Sequence, residues 1–146
     1  MLNDDLTRLR EIVTNGGGAV SIDAALAPVA ATGDPDTIKP LLQMLRDGAN
    51  DHGMWSILHA AEAHSDAAYV THLLDALPQM ANDAPGWSSI LMMRVLNSET
   101  ARSELVRQLR GAPQESRLAA ATVCEEINRV DVRFLSKTTV VLVAAR

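Results

Sequence analysis

Leu2, Leu6, Leu9, Ile12 and Val13 recur at intervals that place apolar side chains on one face of a helix. The pattern predicts a first amphipathic helix over residues 3–14, ended by Asn15-Gly16-Gly17-Gly18. Ser21 then reads as the N-cap of a second helix reaching residue 31, with Asp23 near its positive end. Pro28 inside that helix predicts a kink or an early finish. Gly33-Asp34-Pro35 breaks the chain and starts a third helix carrying Ile38, Leu41, Leu42 and Leu45, which ends near Gly48. Pro40 lies close enough to its start to be tolerated. Further helices are predicted over residues 51–64, 66–80, 84–96, 98–111 and 113–128. The run Thr138-Thr139-Val140-Val141 would suit a strand, but the chain has no partner strand for it. Residues 131–145 are therefore read as a last helix.

The chain also resembles itself. Met54-Trp55-Ser56-Ile57-Leu58 is answered by Trp87-Ser88-Ser89-Ile90-Leu91, with Ser56 and Ser89 33 positions apart. At the same offset His64-Ser65-Asp66 falls on Asn97-Ser98-Glu99. A period in the thirties built from two helices and a polar break is the mark of a helical repeat. The expected architecture is all-α, a single domain over residues 1–146 forming a HEAT-like α-solenoid fragment of about four helix pairs. Such stacks present extended surfaces to other macromolecules, which favours binding over catalysis.

At 146 residues the chain can bury a core without disulfides or metals. Trp55, Trp87, Tyr69 and Phe134 are the only aromatic residues apart from histidine, so that core must be aliphatic and rich in alanine. The single cysteine, Cys124, has no internal partner for a disulfide. The first ten residues carry acids where a signal peptide has bases and an apolar run, and the apolar tail at 140–145 is too short to span a bilayer. These features point to a cytoplasmic protein with no membrane role.

Candidate chemistry is sparse. The glycines at 16–18 match neither GxGxxG nor the P-loop pattern. His59 and Glu62 share a helical face, but HExxH is absent and no second ligand cluster accompanies them, so they read as a structural hydrogen-bonded pair rather than a metal site. Cys124 lies among Ala119, Ala120, Ala121 and Val123, as a buried thiol would, and no motif supplies a base for it. No catalytic residue, cofactor or metal is expected. Trp55 and Trp87, in near-equivalent repeat positions, read as core. Arg94, on roughly the face of Trp87, is placed to reach a loop carbonyl or an acid such as Glu62.

Charge divides the chain. Residues 1–83 hold 12 acids and 4 bases, a net of −8, while residues 84–146 hold 6 acids and 9 bases, a net of +3. Asp47, Asp51, Glu62, Asp66, Asp75 and Asp83 are the candidate partner-binding set. Held at loops along one edge, they would form a negative strip for lysines and arginines of a partner. Asp51 and Asp66 also suit helix capping, whereas Asp47 falls at an unfavourable helix C-terminus.

The run from His52 through Gly53, Met54, Trp55, Ser56, Ile57, Leu58, His59, Ala60 and Ala61 to Glu62 is followed by Tyr69, Leu77-Pro78, Trp87 and Arg94-Val95-Leu96-Asn97-Ser98. This pattern resembles the bacterial immunity proteins grouped as immunity protein 30, found in contact-dependent inhibition and related polymorphic toxin systems. The resemblance implies a cytoplasmic, non-enzymatic protein that binds one cognate toxin C-terminal domain, commonly a nuclease, and blocks it. It casts Trp55, His59, Glu62, Tyr69, Trp87, Arg94 and Asn97 as determinants of the fold rather than toxin contacts. An acidic helical stack fits the masking of a basic cleft by steric occlusion and charge complementarity. Two alternatives remain: a HEAT-like scaffold for another protein, and a nucleic-acid binder using Arg102, Arg107, Arg110, Arg117, Arg129 and Arg133. The second is short of aromatic stacking partners, with Phe134 the one aromatic residue beside those arginines.

Overall fold

A computed structural model describes residues 1–49 and 51–146. Among the described residues every regular element is helical: α1 (Leu2–Thr14), α2 (Ala19–Ala31), α3 (Ile38–Gln43), α4 (Asp51–Glu62), α5 (Asp66–Asp83), α6 (Pro85–Asn97), α7 (Glu99–Leu109), α8 (Gln114–Val130) and α9 (Leu135–Ala144). Short 3-10 turns, Pro35–Thr37 and Val132–Phe134, lead into α3 and α9. The β-branched run near the C-terminus is thus helical; Val141 and Thr138 are fully buried, and the Thr138 hydroxyl donates to Asn128 Oδ1 at 2.6 Å. Tertiary burial overrides its strand propensity.

Several boundaries differ from those read in the sequence, each for a local reason. Helix α2 starts two residues before Ser21, with Gly18 at its N-cap, so Ser21 does not cap it. It also passes Pro28 without an early finish, because only its last turn lies beyond the proline and Val29 is fully buried there. Asp34 caps as expected, accepting from the Asp36 N–H at 2.9 Å, but the helix it starts ends at Gln43 rather than near Gly48. The chain then turns through Gly48, whose φ of +77° favours glycine. At α5 the cap is Ser65, which accepts from the Ala68 N–H at 3.2 Å, and Asp66 is the first helical residue. Helix α5 continues through Pro78 to Asp83.

Helix α5 is the centre of the packing, touching α3, α6, α7 and α8. Contacts α3–α5, α5–α7 and α7–α9 run through the odd-numbered helices, and α2–α4 and α6–α8 through the even ones. The core is continuous from Leu6 to Ala144 and almost wholly aliphatic, including Leu41, Met54, Leu58, Leu73, Leu91, Leu105 and Ile127. The buried hydroxyls of Thr37, Ser88, Ser116 and Thr138 are hydrogen-bonded; Ser116, on α8, donates to the Leu74 carbonyl of α5 at 2.8 Å.

The internal similarity has a structural counterpart with a shifted register. Ser65 and Ser98, 33 residues apart, both cap a following helix. Yet the buried set of α4 (Gly53, Met54, Ile57, Leu58, Ala61) falls at an offset of 34 on five of the six buried residues of α6 (Trp87, Ser88, Leu91, Met92, Val95), Leu96 having no buried counterpart. Trp87 therefore takes the place of Gly53, and Trp55 corresponds to Ser89. The two tryptophans are not equivalent: Trp87 is core, while Trp55 is half-buried at its edge.

Candidate functional site

The residues that carry the sequence pattern converge where α4, α5 and α6 meet. The rings of Trp55 and Trp87 pack edge to face, centroids 5.1 Å apart, an arrangement worth about 0.5–1.5 kcal/mol beyond burial. His59, one turn after Trp55, lies 5.7 Å from its ring. The Arg94 guanidinium sits over the same ring at 5.5 Å. It also grips Glu62 with both forks, Nε donating to Oε2 at 2.7 Å and Nη2 to Oε1 at 2.9 Å. Arg94 thus finds the acid anticipated for it. His59 does not pair with Glu62; that carboxylate is committed to Arg94, and the imidazole turns to Trp55 instead.

Next to this pair Tyr69 is buried, 6% exposed, on the first turns of α5. Among the described residues its hydroxyl is the one buried side-chain polar atom without a hydrogen-bond partner. Leaving such a group unmet costs about 1–3 kcal/mol. Burial raises the phenol's pKa, the Glu62 carboxylate raises it further, and Arg94 opposes them, so the O–H stays protonated at neutral pH. Tyr69 lies in the wall of a surface groove of about 430 Å³. Glu62, His64 and Asp66 line it at the α4–α5 junction, and Arg94, Asn97 and Ser98 at the α6–α7 junction.

A second groove, about 280 Å³, lies at the other end of α4, lined by Asp47, Gly48, Asp51, Trp55, Gly86 and Trp87. Here Asp47 is tied down: its carboxylate accepts from the backbone N–H groups of Gly86 at 2.8 Å and Trp87 at 3.0 Å. The six acids singled out in the sequence are accordingly spread out. Asp47 and Asp51 flank the second groove, and Glu62 and Asp66 the first, with Asp51 and Glu62 about 16 Å apart along α4. Asp75 is exposed in the middle of α5, and Asp83 ends that helix, accepting from Asn82 Nδ2 at 3.2 Å. Asp47, Asp51, Asp66, Asp75 and Asp83 are all exposed and Glu62 is half-buried, while Asp47 and Glu62 also hold parts of the fold together. Sequence reasoning left Tyr69 out of the site; its unmet hydroxyl depends on what surrounds it in space and has no signature along the chain.

Elsewhere the chemistry is quiet. Burial, with Glu125 adding to it, pushes the Cys124 thiol up to about 12, the state of an unreactive core cysteine. Among the described residues no three His, Cys, Asp or Glu side chains gather in a way that could hold a metal ion. No helix among them is long and apolar enough to cross a membrane. In the basic second half Arg107 pairs with Glu104, Arg129 with Glu126 and Arg133 with Asp131. Arg102 donates to the Leu96 carbonyl, and Arg117 to those of Ala112 and Arg146.

No curated protein and no solved structure matches the chain. The model of the family described as immunity protein 30 matches residues 10–105, which include α4, α5, α6 and the whole Trp55–Glu62–Tyr69–Arg94 cluster. With more than half of its length matched, the chain belongs to the immunity protein 30 family.

Proposed function

We propose that this immunity protein works in the cytoplasm by binding the C-terminal toxin domain encoded beside it and covering that domain's basic working surface. The toxin domain is a nuclease in this reading, and inhibition is steric occlusion aided by charge complementarity, with no catalysis by the inhibitor. One observation carries the reading: the acidic excess of the first half stays at the surface, while most arginines of the second half are engaged within the fold. Asp51, Asp66 and Asp75 are exposed, while five of the six arginines considered for nucleic-acid binding donate to internal acceptors. A surface of that kind repels a phosphate backbone and draws in a cationic protein face. A HEAT-like stacking of these helices would supply a broad surface for contact.

Calorimetry with the purified toxin domain tests this directly. Nanomolar one-to-one binding is expected, together with loss of toxicity on co-expression. Reversing Asp51, Asp66 and Asp75 to lysine should slow association about tenfold at low salt and flatten its salt dependence. Absence of binding would remove the reading; unchanged association kinetics in the triple variant would remove its electrostatic part.

A further inference from the structure

The groove at the α4–α5 and α6–α7 junctions holds a polar group that the fold does not use. Of its charged residues, Glu62 and Asp66 are negative and Arg94 is positive, which leaves one net negative charge when His64 is neutral. A carboxylate has about four lone-pair positions. Arg94 takes two on Glu62, and the remainder can still accept. On the far side Lys137 already donates to Asn97 Oδ1 at 2.8 Å, so an incoming cation is directed to the Glu62–Asp66 side. The Tyr69 hydroxyl, buried at the groove wall and without a partner, would accept a hydrogen bond from a side chain that enters far enough to reach it, or donate one. An anion would meet two carboxylates, and an apolar side chain would leave the Tyr69 hydroxyl unmet.

We propose that this groove receives one cationic side chain, an arginine or a lysine, of the toxin domain, and that the Tyr69 hydroxyl is retained for that contact rather than for the fold. The inference rests on the toxin-binding reading above and names where one contact is made. Groups of this type, with Tyr and Arg beside a half-buried Trp, are the ones that dominate interface energetics. Tyr69→Phe is the informative change because it removes only the hydroxyl. With no internal hydrogen bond to lose, the variant should melt at the same temperature as the wild type or higher. It should bind the toxin domain about tenfold more weakly or worse, the loss expected for a hydrogen bond to a charged group. Asp66→Asn should weaken binding in the same direction.

Two probes separate the outcomes: the toxin domain itself, followed by calorimetry, and N-acetyl-arginine amide against its neutral isostere N-acetyl-citrulline amide, followed by NMR. The expected result is weaker toxin binding by Tyr69→Phe at undiminished stability, with signals of Glu62, Tyr69 and Arg94 moved by the arginine amide alone. Equal toxin affinities of wild type and Tyr69→Phe would overturn the groove assignment and leave toxin binding intact. A lowered melting temperature would also overturn it, since the hydroxyl would then serve the fold. If the wild type fails to bind the toxin domain, the functional reading falls and the small amides decide. A selective arginine effect then supports a cation groove serving another partner, and no selective effect refutes it.

Discussion

The carboxylate of Asp47 accepts a 3.0 Å hydrogen bond from the backbone N–H of Trp87, forty residues further along the chain. Its second oxygen takes the Gly86 N–H at 2.8 Å. Asp47 follows α3, where a negative charge faces the wrong end of its own helix, yet it caps the positive end of α6. The neighbouring glycine matters, because a Cβ on Gly86 would stand 2.9 Å from Asp47 Oδ1. The contact joins the α3–α4 link to the helix that carries Trp87 and Arg94.

Asp47→Ala is therefore expected to lower unfolding free energy by about 0.5–2 kcal/mol, the range for losing a helix N-cap. Gly86→Ala, which pushes the carboxylate away, should lose much of the same energy, and the double variant little more than either single one. Urea unfolding of the three variants checks this. Additive losses would show that Gly86 acts independently of the cap.

Arg94 and Glu62 should be coupled. The pair is partly exposed, with side-chain exposures of 43% and 22%, so its coupling is expected at about 0.5–1 kcal/mol in a double-mutant cycle with alanine. Arg94→Lys keeps the charge but loses the fork and the flat face over Trp55, and should behave closer to Arg94→Ala than to the wild type. A coupling of zero would reduce the pair to surface decoration.

The chain has a single tyrosine, so ultraviolet titration reports Tyr69 alone. Its phenol is raised above the ordinary value of 10.0 in the folded state, chiefly by burial. The unfolded chain thus loses this proton first, and stability should be insensitive to Tyr69 below about pH 10 and fall as pH rises beyond it. Phenolate absorbance is expected to appear together with loss of helical circular dichroism. Its appearance while the helices remain intact would contradict the burial of the hydroxyl.

Most of the fold was legible along the chain. The apolar spacing located each helix, Asp34 and Ser98 marked real starts, and the absence of any partner strand correctly outweighed the β-branched run before α9. The pattern at residues 52–98 pointed to the family whose model extends over residues 10–105. The errors fell at caps and breakers: Ser21 and Asp66 do not cap their helices, where Gly18 and Ser65 hold those places, and α3 stops at Gln43, short of Gly48. The repeat was visible, but the letters matched at 33 while the buried faces match at 34.

What the sequence determined by itself was the class of fold, the family, and the acidic first half, since periodicity, spaced residues and net charge are all properties of chain order. Which acids are engaged within the fold was decided only in three dimensions. Asp47 and Glu62 found partners 40 and 32 residues away, through contacts that no local pattern encodes. Tyr69 shows the same division in reverse: its place in an apolar helix was evident from the sequence, but its unmet hydroxyl beside Glu62 and Arg94 arose only when three helices closed around it.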